Sequence, residues 1–344
     1  MEGAMHLLLI SLIFSGLFAS QAPAELWRQG ERARAVEAQR AELKGEEDPV
    51  ARKQLVEWAL TIHQYRAALE DSRQLGEAGR SLRGRAHYFL GEYEEALRLL
   101  DEGDESACMM RIESLRALGR DWGAALKSAA RLIGAEDARL TTLFGALALE
   151  RGEHASAIQS FERAVKSSPL DAEAVFGLGR ALLASGERER GLALLKRHRE
   201  LTPLLDALDF AQRGLDLAPN HAPNHAALGD AWRGLVAADR GAYERSEGSY
   251  LKAVSLMAAS ERAPVYLRHA RLIDEHGAGA LAAAKMLSAA TASSEDARLF
   301  VRAADYYMEV GLNSEAVSLL QRALKLRPGD QAVIRRLQRA RGGK

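Results

Sequence analysis

Cysteine is almost missing: Cys108 is the single one in 344 residues. No intramolecular disulfide can form, so the fold has to be held by packing rather than by covalent staples. Aromatic residues are scarce as well, at 6% of the chain, against 47% apolar residues rich in Ala and Leu. That balance describes helices packed closely through small side chains. Net charge is absent, since 47 Lys and Arg meet 47 Asp and Glu for a formal charge of +0. A chain without basic excess lacks the electrostatic footprint of phosphate-backbone binding, which removes nucleic acid from the expected partners. Enzyme signatures are lacking too: there is no Gly-x-Ser-x-Gly elbow, no phosphate loop ending in Lys-Ser/Thr and no His-Glu-x-x-His zinc helix. No catalytic, cofactor-binding or metal-binding residue is assigned, and the expectation is a non-enzymatic protein.

The first residues are of a different kind. An apolar run from Leu7 to Phe14, broken only by Ser11, continues towards Ala24, and Ala22-Pro23-Ala24 supplies small residues before Glu25. The run is short for a membrane span, and the pattern resembles a secretory signal peptide cleaved after Ala24. Arginine outnumbers lysine, a bias associated with GC-rich bacterial coding. The expected location is therefore periplasmic or secreted. The alternative is anchoring in a membrane by an uncleaved N-terminal segment, which is also the one route to membrane contact.

Beyond the leader, residues recur at a fixed distance of 34: Gly145 as Gly179, Gly152 as Gly186, Phe161 as Leu195 and Pro169 as Pro203. The register returns near the C-terminus, with Gly277 and Gly311, Ala282 and Ala316, and Met286 and Leu320. A period of this length implies stacked helical hairpins, because one hairpin cannot bury its own apolar face. Phe144, Gly145, Ala157, Phe161, Ala164 and Pro169 make one copy; Val175, Leu178, Gly179, Leu182, Leu195 and Pro203 the next; Phe300, Ala304, Tyr307, Ala316, Leu320, Ala323 and Pro328 a third. On these residues the chain resembles a tetratricopeptide repeat protein, whose signature joins Trp-x2-Leu-Gly-x2-Tyr, Ala-x3-Phe and a closing Pro. The resemblance implies an all-α fold, a right-handed superhelical solenoid of antiparallel helix hairpins. It also implies a concave groove lined by the first helix of each pair, used to hold peptides or assemble complexes.

Along the chain this divides into a signal segment (1–24), an N-terminal helix (25–48), an N-terminal repeat lobe (49–203), an irregular helix with an extended hairpin (204–263), C-terminal repeats (264–328) and a capping helix with a tail (329–344). The N-terminal helix is expected to end near Gly45, and Asp48-Pro49 to cap the next. Between Pro203 and Pro219 there is room for one unpaired helix. The hairpin after it has its turn delayed past Asp239-Arg240-Gly241, which predicts two overlong helices. In Asn220-His221-Ala222-Pro223-Asn224-His225, Pro223 fits a first helical turn and leaves His221 in the preceding loop, so the two histidines read as a repeat junction and not as a metal pair. The last helix carries Val333, Ile334 and Leu337 on its apolar side and Arg335, Arg336 and Arg339 as charges. It reads as a solenoid cap, with a basic docking patch for an acidic partner or lipid head groups as the alternative.

The resemblance places candidate partner-binding residues on the first helices: Arg139, Thr142, Ala146 and Glu150; Glu173, Phe176, Arg180 and Leu183; Asp230 and Arg233; Leu267, Arg271 and Asp274; Arg298, Val301, Asp305 and Met308. Arginines among carboxylates and apolar groups suit a peptide with acidic and apolar features, because guanidinium groups bind carboxylates bidentately. The same charges also suit pairing across neighbouring helices. The expected function is a scaffold or adaptor that binds a peptide or protein partner in a bacterial envelope. Two alternatives remain open: an envelope enzyme or enzyme accessory with a site near 203–263, and a solenoid that binds a polysaccharide or cell-wall fragment.

Overall fold

Glycines and alanines opposite large apolar residues organise several hairpins of this molecule. The structure, a computed structural model, describes residues 22–44 and 46–342. Among the described residues every regular element is helical: α1 (Pro23–Gln29), α2 (Arg32–Glu42), α3 (Pro49–Thr61), α4 (Tyr65–Arg73), α5 (Arg80–Phe89), α6 (Tyr93–Leu99), α7 (Glu105–Ala117), α8 (Gly123–Ile133), α9 (Ala138–Glu150), α10 (His154–Ser167), α11 (Ala172–Ala184), α12 (Arg188–Leu217), α13 (Ala222–Leu235), α14 (Gly241–Ser255), α15 (Ala263–His276), α16 (Gly279–Ala290), α17 (Ala297–Glu309), α18 (Asn313–Leu326) and α19 (Gln331–Gly342). Two compact units result. The first takes the chain up to Ser167 with Arg180–Glu187 and Asp216–Pro219; the second takes Ser168–Gly179, Arg188–Leu215 and everything from Asn220. The expected leader lies outside the described residues except for 22–24, where Pro23 opens α1.

In the first unit, the single N-terminal helix expected over 25–48 is two helices. Gly30, at φ 86, ends α1 in a left-handed cap, a conformation that costs glycine nothing and other residues about a kcal/mol or more. The expected end at Gly45 lies outside the described residues. Asp48 caps α3 as anticipated, accepting from the backbone N–H of Val50 at 2.9 Å and of Ala51 at 3.0 Å, with Pro49 in the first turn. Trp27 of α1 stacks on Trp58 of α3 at 4.5 Å, and Leu55, Val56 and Ala59 share a core with Ala68 of α4.

The close packing within hairpins comes from a second spacing, 16 residues, between a glycine on the first helix and a large side chain on the second. A Cβ at Gly145 would stand 2.8–2.9 Å from three ring atoms of Phe161, and one at Gly84 2.8 Å from Leu100. In the second unit the Gly179–Leu195 pair repeats the spacing, with Leu195 3.0 Å away. Ala304 and Leu320 occupy the same relation near the C-terminus and are both fully buried. These contacts interlock the helices at ordinary interior density.

The second unit corrects two expectations. The helix expected to stand alone after Pro203 is instead the second half of α12, 30 residues long with Pro203 inside it. A proline there removes one i→i−4 hydrogen bond, but burial of Leu201 on one side and of Ala211 and Leu215 on the other holds both halves in register. Nor is that half unpaired: a Cβ at Gly234 of α13 would sit 3.0 Å from Leu204, and Asn224 Nδ2 donates to Gly214 O at 2.7 Å. The hairpin that follows does not have overlong helices either. At 14 and 15 residues, α13 and α14 match their counterparts α9 and α10, at 13 and 14, and much of the excess forms the loop before Gly241. Further on, α15 to α19 share one core built from Ala283, Leu287, Phe300, Ala304, Leu320 and Leu337. Asp330 caps α19, accepting from Ala332 N at 2.9 Å and Val333 N at 3.3 Å.

Candidate functional site

Helical periodicity decides which side chains can converge. On α17, Arg298, Val301, Asp305 and Met308 recur at three- and four-residue steps and so share one face. Leu267 and Arg271 do the same on α15, and Ala332, Arg335, Arg336 and Arg339 on α19. The three faces meet. A cavity of about 550 Å³ is walled by Leu267 and Arg271 of α15, Arg298 and Val301 of α17, and Val333 of α19. A second, of about 540 Å³, is walled by Met308 and Glu309 of α17 with Arg335 and Arg339 of α19. Arg302, Asp305, Ala332 and Arg336 belong to both, so the two cavities form one cleft with the Asp305–Arg336 ion pair, 2.9 Å long, as the divide. Arg302 is held in place by Tyr306: its Nη2 donates to the hydroxyl at 3.0 Å and its guanidinium lies 4.2 Å from the ring centre.

Of the candidate residues, the structure gathers Arg271, Arg298 and Asp305 here, with Leu267, Val301 and Met308 beside them. Asp274 lies near the buried Tyr306. Asp230 accepts from the Tyr250 hydroxyl at 2.7 Å and from Arg268 Nη1 at 2.9 Å, and Arg233 reaches Glu275 at 2.9 Å. Charges on α13 and α15 thus pair across neighbouring helices. Burial and the Asp230 carboxylate push the Tyr250 hydroxyl well above the usual tyrosine range. In the segment around 203–263, then, the buried Tyr250 hydroxyl is already paired.

The remaining candidates are scattered. Arg139 folds onto Asp137, Nε to Oδ1 at 2.9 Å and Nη2 to Oδ2 at 2.8 Å. Thr142 is buried, and Glu150 accepts from Trp122 Nε1 at 3.1 Å. Phe176, exposed on α11, leans on His198 with ring centres 5.0 Å apart, while Glu173 and Arg180 are exposed on the same helix. Residues missed by sequence reasoning are Arg302, whose signal was its i+4 relation to Arg298, and Arg327 on the same cavity wall. The histidines behave as expected, with His221 preceding α13 and Pro223 in its first turn. Among the described residues no group of three or more His, Cys, Asp or Glu is placed to hold a metal ion.

Residues 142–206 match the tetratricopeptide repeat family, a stretch that includes α11 and the first part of α12. No curated protein matches the chain. Among solved structures it is similar to TTC0263, a thermophilic TPR protein of Thermus thermophilus, at 21% identity over 59% of this chain and 98% of that one, with a TM-score of 0.33. It is similar also to YrrB, a TPR protein with an unusual peptide-binding site, at 16% identity over 61% and 96% with a TM-score of 0.28. A third likeness is to Naa15/Naa10 bound to HypK-THB, at 14% identity over 93% and 54% with a TM-score of 0.38.

Proposed function

We propose that this protein is a non-catalytic interaction scaffold that holds a peptide segment of a protein partner in the cleft of its C-terminal unit, and that it works in a bacterial envelope. The observation that carries the reading is the convergence of α15, α17 and α19 on one cleft with apolar walls at Leu267, Val301 and Val333 and charged walls around them. Stacked hairpins offer a pre-organised surface and no reaction chemistry of their own, which agrees with the repeat match over 142–206. A rigid cleft of this kind binds through a few well-placed contacts rather than through total area. The envelope assignment rests on the apolar run from Leu7 to Phe14 and the small residues before Glu25.

A photo-crosslinking residue placed at Val301 in cells tests the scaffold reading, with Ser318, exposed on α18, as the control. The expected result is a discrete adduct from Val301 and none from Ser318. The same adducts from both positions, or none from Val301, would remove the cleft as the binding site. Fractionation with N-terminal sequencing tests the location: a periplasmic chain beginning at Glu25 is expected, and a cytoplasmic chain that retains residues 1–24 contradicts it.

A further inference from the structure

The cleft is lopsided in charge. Seven arginines stand on its walls: Arg271, Arg298, Arg302, Arg327 and Arg336 around the first cavity, Arg335 and Arg339 in the second. Three carboxylates oppose them, and two are already engaged, Asp305 with Arg336 of the same seven and Asp330 with the first turn of α19, while Arg298 is paired with Asp296 beside the cleft. Only Glu309 remains. Arg271, Arg335 and Arg339 make no hydrogen bond or ion pair among the described residues. From Gln331 to Gly342, α19 bears four arginines and no acid. A solenoid cap needs a polar exterior, but mixed charges would serve that need equally well. The helix dipole favours cations in the last turn, which accounts for Arg339 and Arg341, and Asp305 accounts for Arg336; Arg335 is left unexplained.

We infer that the cleft takes a short acidic segment of a partner protein, seated with an apolar side chain on Leu267 and Val301 and with carboxylates at both ends. One carboxylate meets Arg271. The other meets Arg335 and Arg339, on the far side of the Asp305–Arg336 pair. This rests on the scaffold reading of the same cleft and adds the chemistry of its partner. Guanidinium groups pair with carboxylates through parallel hydrogen bonds, so separated arginines set both the charge and the spacing a ligand must have. The apolar wall of Leu267 and Val301 beside Arg271 favours a peptide over a lipid head group, because a phosphate head group alone has no apolar side chain to place there. In this arrangement α19 is the element that confers specificity as well as the lid of the core.

The test uses the full chain and two fluorescein-labelled synthetic peptides, one of repeating Asp-Leu-Glu and its amide counterpart of Asn-Leu-Gln, with phosphatidylglycerol vesicles as a third probe. The acidic peptide is expected to bind at least about tenfold more tightly than the amide peptide and to weaken as salt rises. Arg335→Glu with Arg339→Glu is expected to weaken it by about tenfold or more, while Lys127→Glu in the N-terminal unit, the same kind of charge change, leaves it unaltered. Should the double reversal lower helicity by circular dichroism, Arg335→Gln with Arg339→Gln replaces it under the same criterion. Equal binding of the two peptides, indifference to substitution of Arg335 and Arg339, or capture of vesicles in place of the acidic peptide overturns the inference. A Val301 adduct without acidic-peptide binding removes the charge assignment and leaves the scaffold standing. Acidic-peptide binding through these arginines without a Val301 adduct leaves the charge preference of the cleft standing but removes its use by a partner in cells, and the inference with it.

Discussion

Arg298 doubles back onto Asp296: Nε lies 3.0 Å from Oδ1, Nη2 2.5 Å from Oδ2, and the backbone N–H of Arg298 donates to Oδ1 at 2.9 Å. Arg139 and Asp137 make the same arrangement at the start of α9. One carboxylate thus caps a helix and holds a guanidinium. The guanidinium hydrogen bond keeps both aspartates below the usual carboxylate range.

Asp296→Ala is therefore expected to lower stability by about 1 kcal/mol through loss of the cap. Because the folded-state pKa is depressed, the carboxylate's contribution is present above the unfolded value, about pH 4, and disappears as pH falls through the folded value. Urea unfolding as a function of pH checks this: the gap between wild type and variant should be full near neutrality and close in acid.

Gly145 and Phe161 give a prediction of packing. Gly145→Ala puts a methyl group against the ring at 2.8–2.9 Å and is expected to cost about 1–3 kcal/mol. Phe161→Leu alone is destabilising too, but combined with Gly145→Ala it should recover part of the loss, since the smaller side chain gives room. Chemical unfolding of the two single variants and the double measures the coupling, and simple additivity would show that the two residues do not touch.

Alkaline pH should expose the buried Tyr250 and Tyr306 and the half-buried Tyr88 and Tyr243. Burial raises the hydroxyls of Tyr88, Tyr243, Tyr250 and Tyr306, with Glu113 adding to the effect at Tyr88 and Asp230 at Tyr250. A raised folded pKa means that their contribution is intact below the unfolded value, about 10, and is lost as pH climbs beyond it. Ultraviolet titration should then show these four of the eight tyrosines ionising only with loss of helicity. A single phase near pH 10, with helicity retained, would contradict this.

Pro203→Ala restores a backbone N–H in the middle of α12 and removes a ring from its interior. Stability should rise, by up to about 3 kcal/mol on helix propensity alone. The higher entropy of the unfolded alanine chain offsets part of this gain. Thermal unfolding decides the sign, and a lower midpoint would mean that the proline's shape is needed where it sits.

The hairpins were legible because their contacts recur: Gly145 with Phe161 and Gly179 with Leu195 are related by the same 34-residue step that reveals the fold. The candidate site was legible in part, since Arg271, Arg298, Val301 and Asp305 are first-helix positions that the repeat resemblance implies for a groove. The fate of Arg139 was hidden by a bond to a residue only two positions away, a local cap that periodicity does not register. The continuity of α12 was hidden too, because a proline at a repeat boundary ordinarily ends a helix, and here burial on both sides outweighs the missing bond. The lengths of α13 and α14 were misjudged for a similar reason. A delayed turn can lengthen helices or enlarge a loop, and only packing chooses between them.

The 16-residue partnership between a small residue on one helix and a large one on the next has a consequence for kinetics. Each helix finds a partner a few turns along the same stretch of chain, so the search that forms a hairpin is short and its loop-closure entropy small. Folding is expected to start in any one hairpin and spread to its neighbours. In that picture Gly84, Gly145 and Gly179 mark places where the chain can begin.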